Sequence, residues 1–180
     1  MKKVAVMLAD GFEEIEALTP LDLLRRAGVS VVTVGLGGRK ITGTHGITVM
    51  ADTDMLPEGD FDMVILPGGM PGAANLDASP MVADALARVH ARGGYLAAIC
   101  AAPMVLGHKG YLVGKRAVCF PGFESELTDA EMAQGCFVVR DGNVITARGM
   151  GCALDFGLAL VAALRDEQTA MELRAAVMTP

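Results

Sequence analysis

The chain has 180 residues, 52% of them hydrophobic and 20% charged, with a formal net charge of −6. That length suits one domain with a sizeable core, and the composition excludes a disordered tail. The acidic balance and the lack of any Lys/Arg-rich run exclude a broad nucleic-acid surface, and no uninterrupted apolar run reaches the ~20 residues of a membrane span.

"KKVAVMLA" (2–9) is continuous rather than alternating, the pattern of a strand buried on both faces of a parallel sheet. Glu13 to Ala27 predicts a helix closing on "RRAG", cations followed by glycine, with Pro20 expected to kink it. "VSVVTVGL" (29–36) and "DMVILPGG" (62–69) repeat the strand type. Ser79 as N-cap and Pro80 in the first turn open a helix that runs to Arg92. "GGYLAAIC" (93–100) reads as a weaker strand, Ala101 to His108 as a helix and "KRAVCF" (115–120) as another weak strand. "CFVVRDGNVITA" (136–147) sets Asp141-Gly142 between apolar runs and predicts a β-hairpin. "ALDFGLALVAAL" (153–164) reads as a buried helix and "EQTAMELRAAVM" (167–178) as a closing amphipathic one. The alternation predicts an α/β doubly wound, mostly parallel sheet with helices on both faces and a small β-hairpin, in one domain spanning 1–180.

In such sheets ligands bind beyond the carboxyl ends of the strands. "ADGFEEIE", "PGGMPG", Cys100 and "CFPGFE" all fall at such ends. Cys100 has two readings. It is either a small core residue or a nucleophile on a tight strand-to-helix turn, flanked by the small residues Ala98, Ala101 and Ala102. A helix N-terminus starting at Ala101 would favour the thiolate and lower the pKa below ~8.5. A base is hard to find. His45 lies in a loop, His90 late on a helix, and His108 about two turns past Cys100. Glu13, Glu14 and Glu16 sit in one helical turn, where the plain reading is complementing the helix dipole. The other reading is a buried, protonated glutamic acid that shuttles a proton. The glycines of "PGGMPG", Gly68 and Gly69, offer backbone N–H groups for an oxyanion, or make an ordinary turn.

The four cysteines, at 100, 119, 136 and 152, form no CxxC pair, which disfavours a zinc ribbon or a thioredoxin-type site. Acids follow the N-terminal lysines too soon for a signal peptide. A reduced, cytoplasmic chain is the expectation.

"ADGFEEIEALTPLDLLRRAG", "DMVILPGG", "AAICAAP", Phe120-Pro121 and "ARGMGCALDFGLALV" resemble, in order and spacing, the ThiJ/PfpI superfamily, in particular the branch of the Parkinson-associated protein deglycase and its YajL-like relatives. The resemblance runs from Lys3 to about Met178. It implies a flavodoxin-like fold, a homodimer, Cys100 as an oxidation-sensitive nucleophile and Glu16 as the protonated acid bonded to it. Gly69 and Ala101 would be the backbone donors, with Gly68, Cys119, Phe120 and Pro121 as neighbours. Phe120 stands where one branch carries histidine, and Met150 replaces the more usual proline. Cys119 is a resolving thiol only if its side chain turns toward Cys100, and strand alternation favours burial elsewhere.

The implied activity is a cofactor-free, metal-free glyoxalase or deglycase acting on 2-oxoaldehydes such as methylglyoxal, or on glycated protein. The competing expectation is an oxidative-stress sensor or redox-regulated chaperone working through Cys100 oxidation. A peptidase lacks its base.

Overall fold

Val4 to Leu8 of strand β1 (Lys3–Leu8) are each at most 1% exposed. A strand is that deeply buried only with helices on both of its faces, as its continuous apolar run requires. The computed structural model describes residues 1–179. After β1 come α1 (Glu14–Arg26), β2 (Ser30–Gly35), the short strands β3 (Lys40–Thr42) and β4 (Thr48–Met50), and β5 (Met63–Leu66). Next are α2 (Gly72–Asp77), α3 (Pro80–Ala91), β6 (Tyr95–Ile99), α4 (Pro103–His108), β7 (Arg116–Ala117) and β8 (Glu131–Met132). The chain closes with β9 (Val138–Asp141), β10 (Val144–Ala147), α5 (Ala153–Leu164) and α6 (Glu167–Ala176).

The main sheet has six strands in the order β2-β1-β5-β6-β10-β9, all pairs parallel except β10 with β9. This is the mostly parallel α/β architecture that the sequence predicts. Side chains alternate between two apolar layers. Val4, Val6, Ile65 and Ile99 join α1 and α5 in one layer. Ala5, Met7, Val64 and Ala98 join α2, α3 and α4 in the other. The order reverses between β1 and β5, because β1 is followed in the chain by β2 on its far side. A crevice at such a switch point is where this architecture places ligands.

The hairpin forms as expected. Val144 pairs with Asp141, leaving Gly142 and Asn143 as the loop, and Gly142 supplies the positive φ of 58°. Pro20 does not interrupt α1. It packs against Gly157 of α5, where an added Cβ would lie 3.0 Å from Pro20 Cα and 2.6 Å from Leu23 Cδ1. Two expectations are corrected. Residues 115–120 do not enter the main sheet; only Arg116 and Ala117 are in a strand, paired with β8. From Val118 the segment crosses the strand ends, its N–H groups going to the Thr146 hydroxyl and the Cys100 carbonyl. The helix after Cys100 begins at Pro103, not Ala101, since Cys100 to Ala102 form a turn. The β3–β4 pair and α2 carry no periodic signal and are absent from the sequence reading. No helix among the described residues is long and apolar enough to cross a membrane.

Candidate active site

Cys100 ends β6 with φ at +66°, in the left-handed region, which costs a residue bearing a Cβ roughly 1–2 kcal/mol. The turn is held from both sides. The Cys100 N–H donates to the Ala147 carbonyl at 2.9 Å, and the Cys100 carbonyl accepts the Phe120 N–H at 2.8 Å. Strain supported by tertiary bonds in this way is typical of functional turns.

Glu16, one turn into α1, is 0% exposed. Its Oε2 accepts the Gly68 N–H at 3.0 Å, while Oε1 is buried with no partner among the described residues. The Glu16 carboxyl and the Cys100 thiol face each other closely enough that the contact between them shifts the ionisation of both. Burial pushes the Glu16 carboxyl up to about 7, opposed first by the Cys100 thiol, with the Glu13 charge adding to the rise and the N–H groups of Gly68 and Met150 also opposing it.

The thiol departs from expectation. Burial, reinforced by the Glu16 charge, pushes Cys100 up to about 12, against the Gly69 and Ala101 N–H groups that face the sulfur and favour its anion. With Cys100 only 7% exposed in the α1/α5 layer and no helix starting at Ala101, desolvation outweighs the local dipoles. Burial thus favours the neutral form of both the thiol and the carboxyl.

The three acids of "EEIE" do different work. Glu13 caps α1, its Oε2 accepting the Glu16 N–H at 2.8 Å. Glu14 is buried and accepts the His45 N–H at 2.8 Å, with its other oxygen 2.9 Å from His45 Nδ1. Burial alone would raise the Glu14 pKa, but the bonds from His45 and Ile47 hold it down at about 2. Ligand atoms of Glu13, Glu14 and His45 lie within 4.8 Å of one another. Because the Glu14 oxygens are already engaged, the group reads as an anchor for the β3–β4 turn rather than a metal centre. His90 packs on the Tyr111 ring at 4.9 Å, and His108 lies between Asp77 and Glu126. None of the three histidines hydrogen-bonds Cys100 or Glu16 among the described residues.

Gly68, Gly69, Glu16, Cys100 and Ala101 are thus brought together from three strand ends. Cys119 is not. It is 4% exposed in the opposite apolar layer, and burial pushes its thiol up to about 11. Phe120 and Pro121 line a neighbouring cavity of about 470 Å³ with Phe137, Arg148 and Met150. Composition and periodicity do not reveal Phe137 or Arg148 as site residues. Each is a single side chain in the loops flanking the hairpin, with no local signal.

The DJ-1/PfpI family model matches residues 2–163. The chain is 36% identical over 180 residues to a Parkinson disease protein 7 homolog of Danio rerio, covering 97% of this chain and 95% of that one. It is 31% identical over 156 residues to a glutathione-independent glyoxalase of Caenorhabditis elegans, covering 84% of this chain and 82% of that one. Among solved structures, a cysteine-to-alanine mutant of a DJ-1 superfamily protein from Salmonella typhimurium superposes with a TM-score of 0.91 at 38% identity, over 100% of both chains. On this agreement of sequence, fold and length, the chain belongs to the DJ-1/PfpI family.

Proposed function

We propose that the protein is a cysteine-dependent glyoxalase that converts 2-oxoaldehydes to 2-hydroxy acids with no nucleotide or metal. The observation that carries this reading is the fully buried Glu16, one oxygen unpartnered, beside the thiol on its strained turn. A carboxyl titrating near 7 matches the pH at which a general base is most effective.

Glu16 takes the Cys100 proton as sulfur bonds to the aldehyde carbon. The former carbonyl oxygen becomes the hydroxyl of a hemithioacetal when Glu16 returns the proton. Glu16 then removes the C1 hydrogen and delivers a proton to C2, through an enediol, leaving a 2-hydroxyacyl thioester. Water hydrolyses that thioester, giving lactate from methylglyoxal and restoring the thiol. Gly69 and Ala101 N–H groups, which face the sulfur, stabilise negative charge arising there. An early glycation adduct, the carbinol formed when a protein amine or thiol adds to the same aldehyde, would first break that C–N or C–S bond, the proton returning to the leaving amine or thiol, and so release the 2-oxoaldehyde into the same sequence. The C. elegans relative's name supports the chemistry. A homodimer is the assembly carried with this reading, supported by two exposed isoleucines, Ile15 next to Glu14 in the chain and Ile47, whose N–H bonds Glu14.

Methylglyoxal depletion with lactate quantification tests it. Cys100→Ser and Glu16→Gln should each abolish turnover with the fold intact; turnover retained in Glu16→Gln overturns the role of the acid. The second reading, a sensor operating by Cys100 oxidation, draws on the same N–H groups and the orphaned Glu16 oxygen as partners for a sulfinate. It ranks second because the orphaned Glu16 oxygen supplies the proton transfers that turnover requires, whereas a sensor needs only the sulfur and its N–H partners. Selective gain of two oxygens at Cys100 without aldehyde consumption would reverse that order.

A further inference from the structure

The cavity beside the site is far larger than a three-carbon aldehyde requires. Its volume, about 470 Å³, falls in the range of pockets that enclose whole drug-sized ligands. It borders the reacting groups through two residues: the Phe120 N–H bonds the Cys100 carbonyl, and the Met150 N–H faces Glu16. Much of its wall is apolar, from Phe120 (39% exposed), Phe137 (62%) and Met150 (40%). Two charged residues also line it, Arg148 and Asp155.

These two differ in what they still have to offer. Asp155 is ion-paired with Arg174. Arg148 is exposed, and among the described residues its guanidinium makes no hydrogen bond or ion pair. Its one defined contact is with the Phe137 ring, 5.9 Å from the guanidinium carbon to the centroid. An aromatic platform limits the orientations of the guanidinium without using its donors. Five N–H donors in a planar fork, set at the edge of an apolar cavity, match a carboxylate at the end of a short hydrocarbon stem.

We infer that this cavity is a subsite for the distal end of the substrate, and that the preferred 2-oxoaldehyde carries a carboxylate there, gripped by Arg148 while Phe120, Phe137 and Met150 cover its methylene stem. The inference rests on the aldehyde chemistry proposed above and adds the class of substrate. Arg148 is a specificity-determining residue, remote from the bonds that change.

The test compares 4,5-dioxopentanoate, a 2-oxoaldehyde ending in a carboxylate, with 2-oxopentanal, its neutral counterpart of equal chain length. Wild type should favour the acid by about tenfold or more in kcat/KM, the scale of a charge-assisted hydrogen bond. In Arg148→Gln that ratio should fall to about one. A loss of folded protein lowers both rates and leaves the ratio untouched. No preference in wild type, or a preference that survives in Arg148→Gln, overturns the subsite. If neither aldehyde is consumed, the catalytic reading fails and binding still decides the subsite. Calorimetric titration with the unreactive keto acid 4-oxopentanoate should then show an affinity about tenfold weaker in Arg148→Gln than in wild type, and equal affinities would overturn the subsite.

Discussion

Gly68 donates its backbone N–H to Glu16 Oε2 at 3.0 Å, and the Cβ that it lacks would lie 2.6 Å from that oxygen and 2.6 Å from Cys100 Cβ. The absence of a side chain at one position lets an acid from α1 and a thiol from β6 share a buried space. The third neighbour of that missing Cβ is the Ile99 carbonyl at 2.9 Å, a main-chain atom that cannot swing aside.

Gly68→Ala is therefore expected to destabilise the protein by about 1–3 kcal/mol, the range for overpacking, and to displace the carboxyl from the thiol. Urea unfolding and methylglyoxal turnover measured on the same variant check this. A Gly68→Ala protein with wild-type stability would show that the contact is softer than the geometry implies.

Glu16 makes stability fall with rising pH. Its folded pKa, about 7, lies above the ordinary 4.5. Below the ordinary value both folded and unfolded states hold the proton. Between the two values only the folded state does, so stability declines through that window and levels out above about pH 7. The shift corresponds to on the order of 3 kcal/mol. Glu16→Gln lacks this dependence. It should gain on wild type by roughly 1–3 kcal/mol between about pH 4 and pH 8 in urea unfolding, and a difference that stays flat with pH would contradict the burial argument.

Glu14, two residues earlier, works in the opposite sense. Its folded pKa, about 2, lies below the ordinary 4.5 because of the bonds from His45 and Ile47. Its contribution is complete above the ordinary value and is lost as pH falls toward the folded one. At neutral pH Glu14→Gln should cost on the order of 2–3 kcal/mol, and the gap to wild type should close as acid is added. Acid titration of stability for the two proteins measures it. A gap that persists at low pH would mean that lost packing, not lost charge, explains the defect.

Thr146 is 0% exposed, and its hydroxyl accepts the Val118 N–H at 3.0 Å. Thr146→Val keeps the shape and leaves a buried N–H unpaired, which costs about 1–3 kcal/mol. That bond pins the segment whose Phe120 N–H holds the Cys100 carbonyl. Hydrogen exchange at Val118 and Phe120 should accelerate in the variant along with the loss of stability. Unchanged protection at both amides would free this segment of any role in the elbow.

Much of this arrangement was legible before any coordinates. Continuous apolar runs mark β1 and β5 as central parallel strands because two-sided burial removes the polar alternate residue. Ser79-Pro80 and "RRAG" mark helix ends because orphan N–H groups and the helix dipole act within a single turn. The strand ends that gather Glu16, Gly68, Gly69 and Cys100 follow from the alternation of elements. Which of Glu13, Glu14 and Glu16 meets the thiol does not follow from periodicity; only the family resemblance singled out Glu16. Residues 115–120 misled because a short apolar run has the same local pattern whether it joins the sheet or crosses its end.

What the sequence determined by itself is what local interactions encode: the alternation of the main strands and helices and their buried faces. Only the tertiary structure decided where the protons reside. Desolvation and Coulomb interactions are summed over neighbours distant in the chain, and here that sum raises both the thiol and the carboxyl above their ordinary values. The packing of the same distant segments also decided that Arg148 would stand over the Phe137 ring at the rim of a cavity bordering the reactive turn.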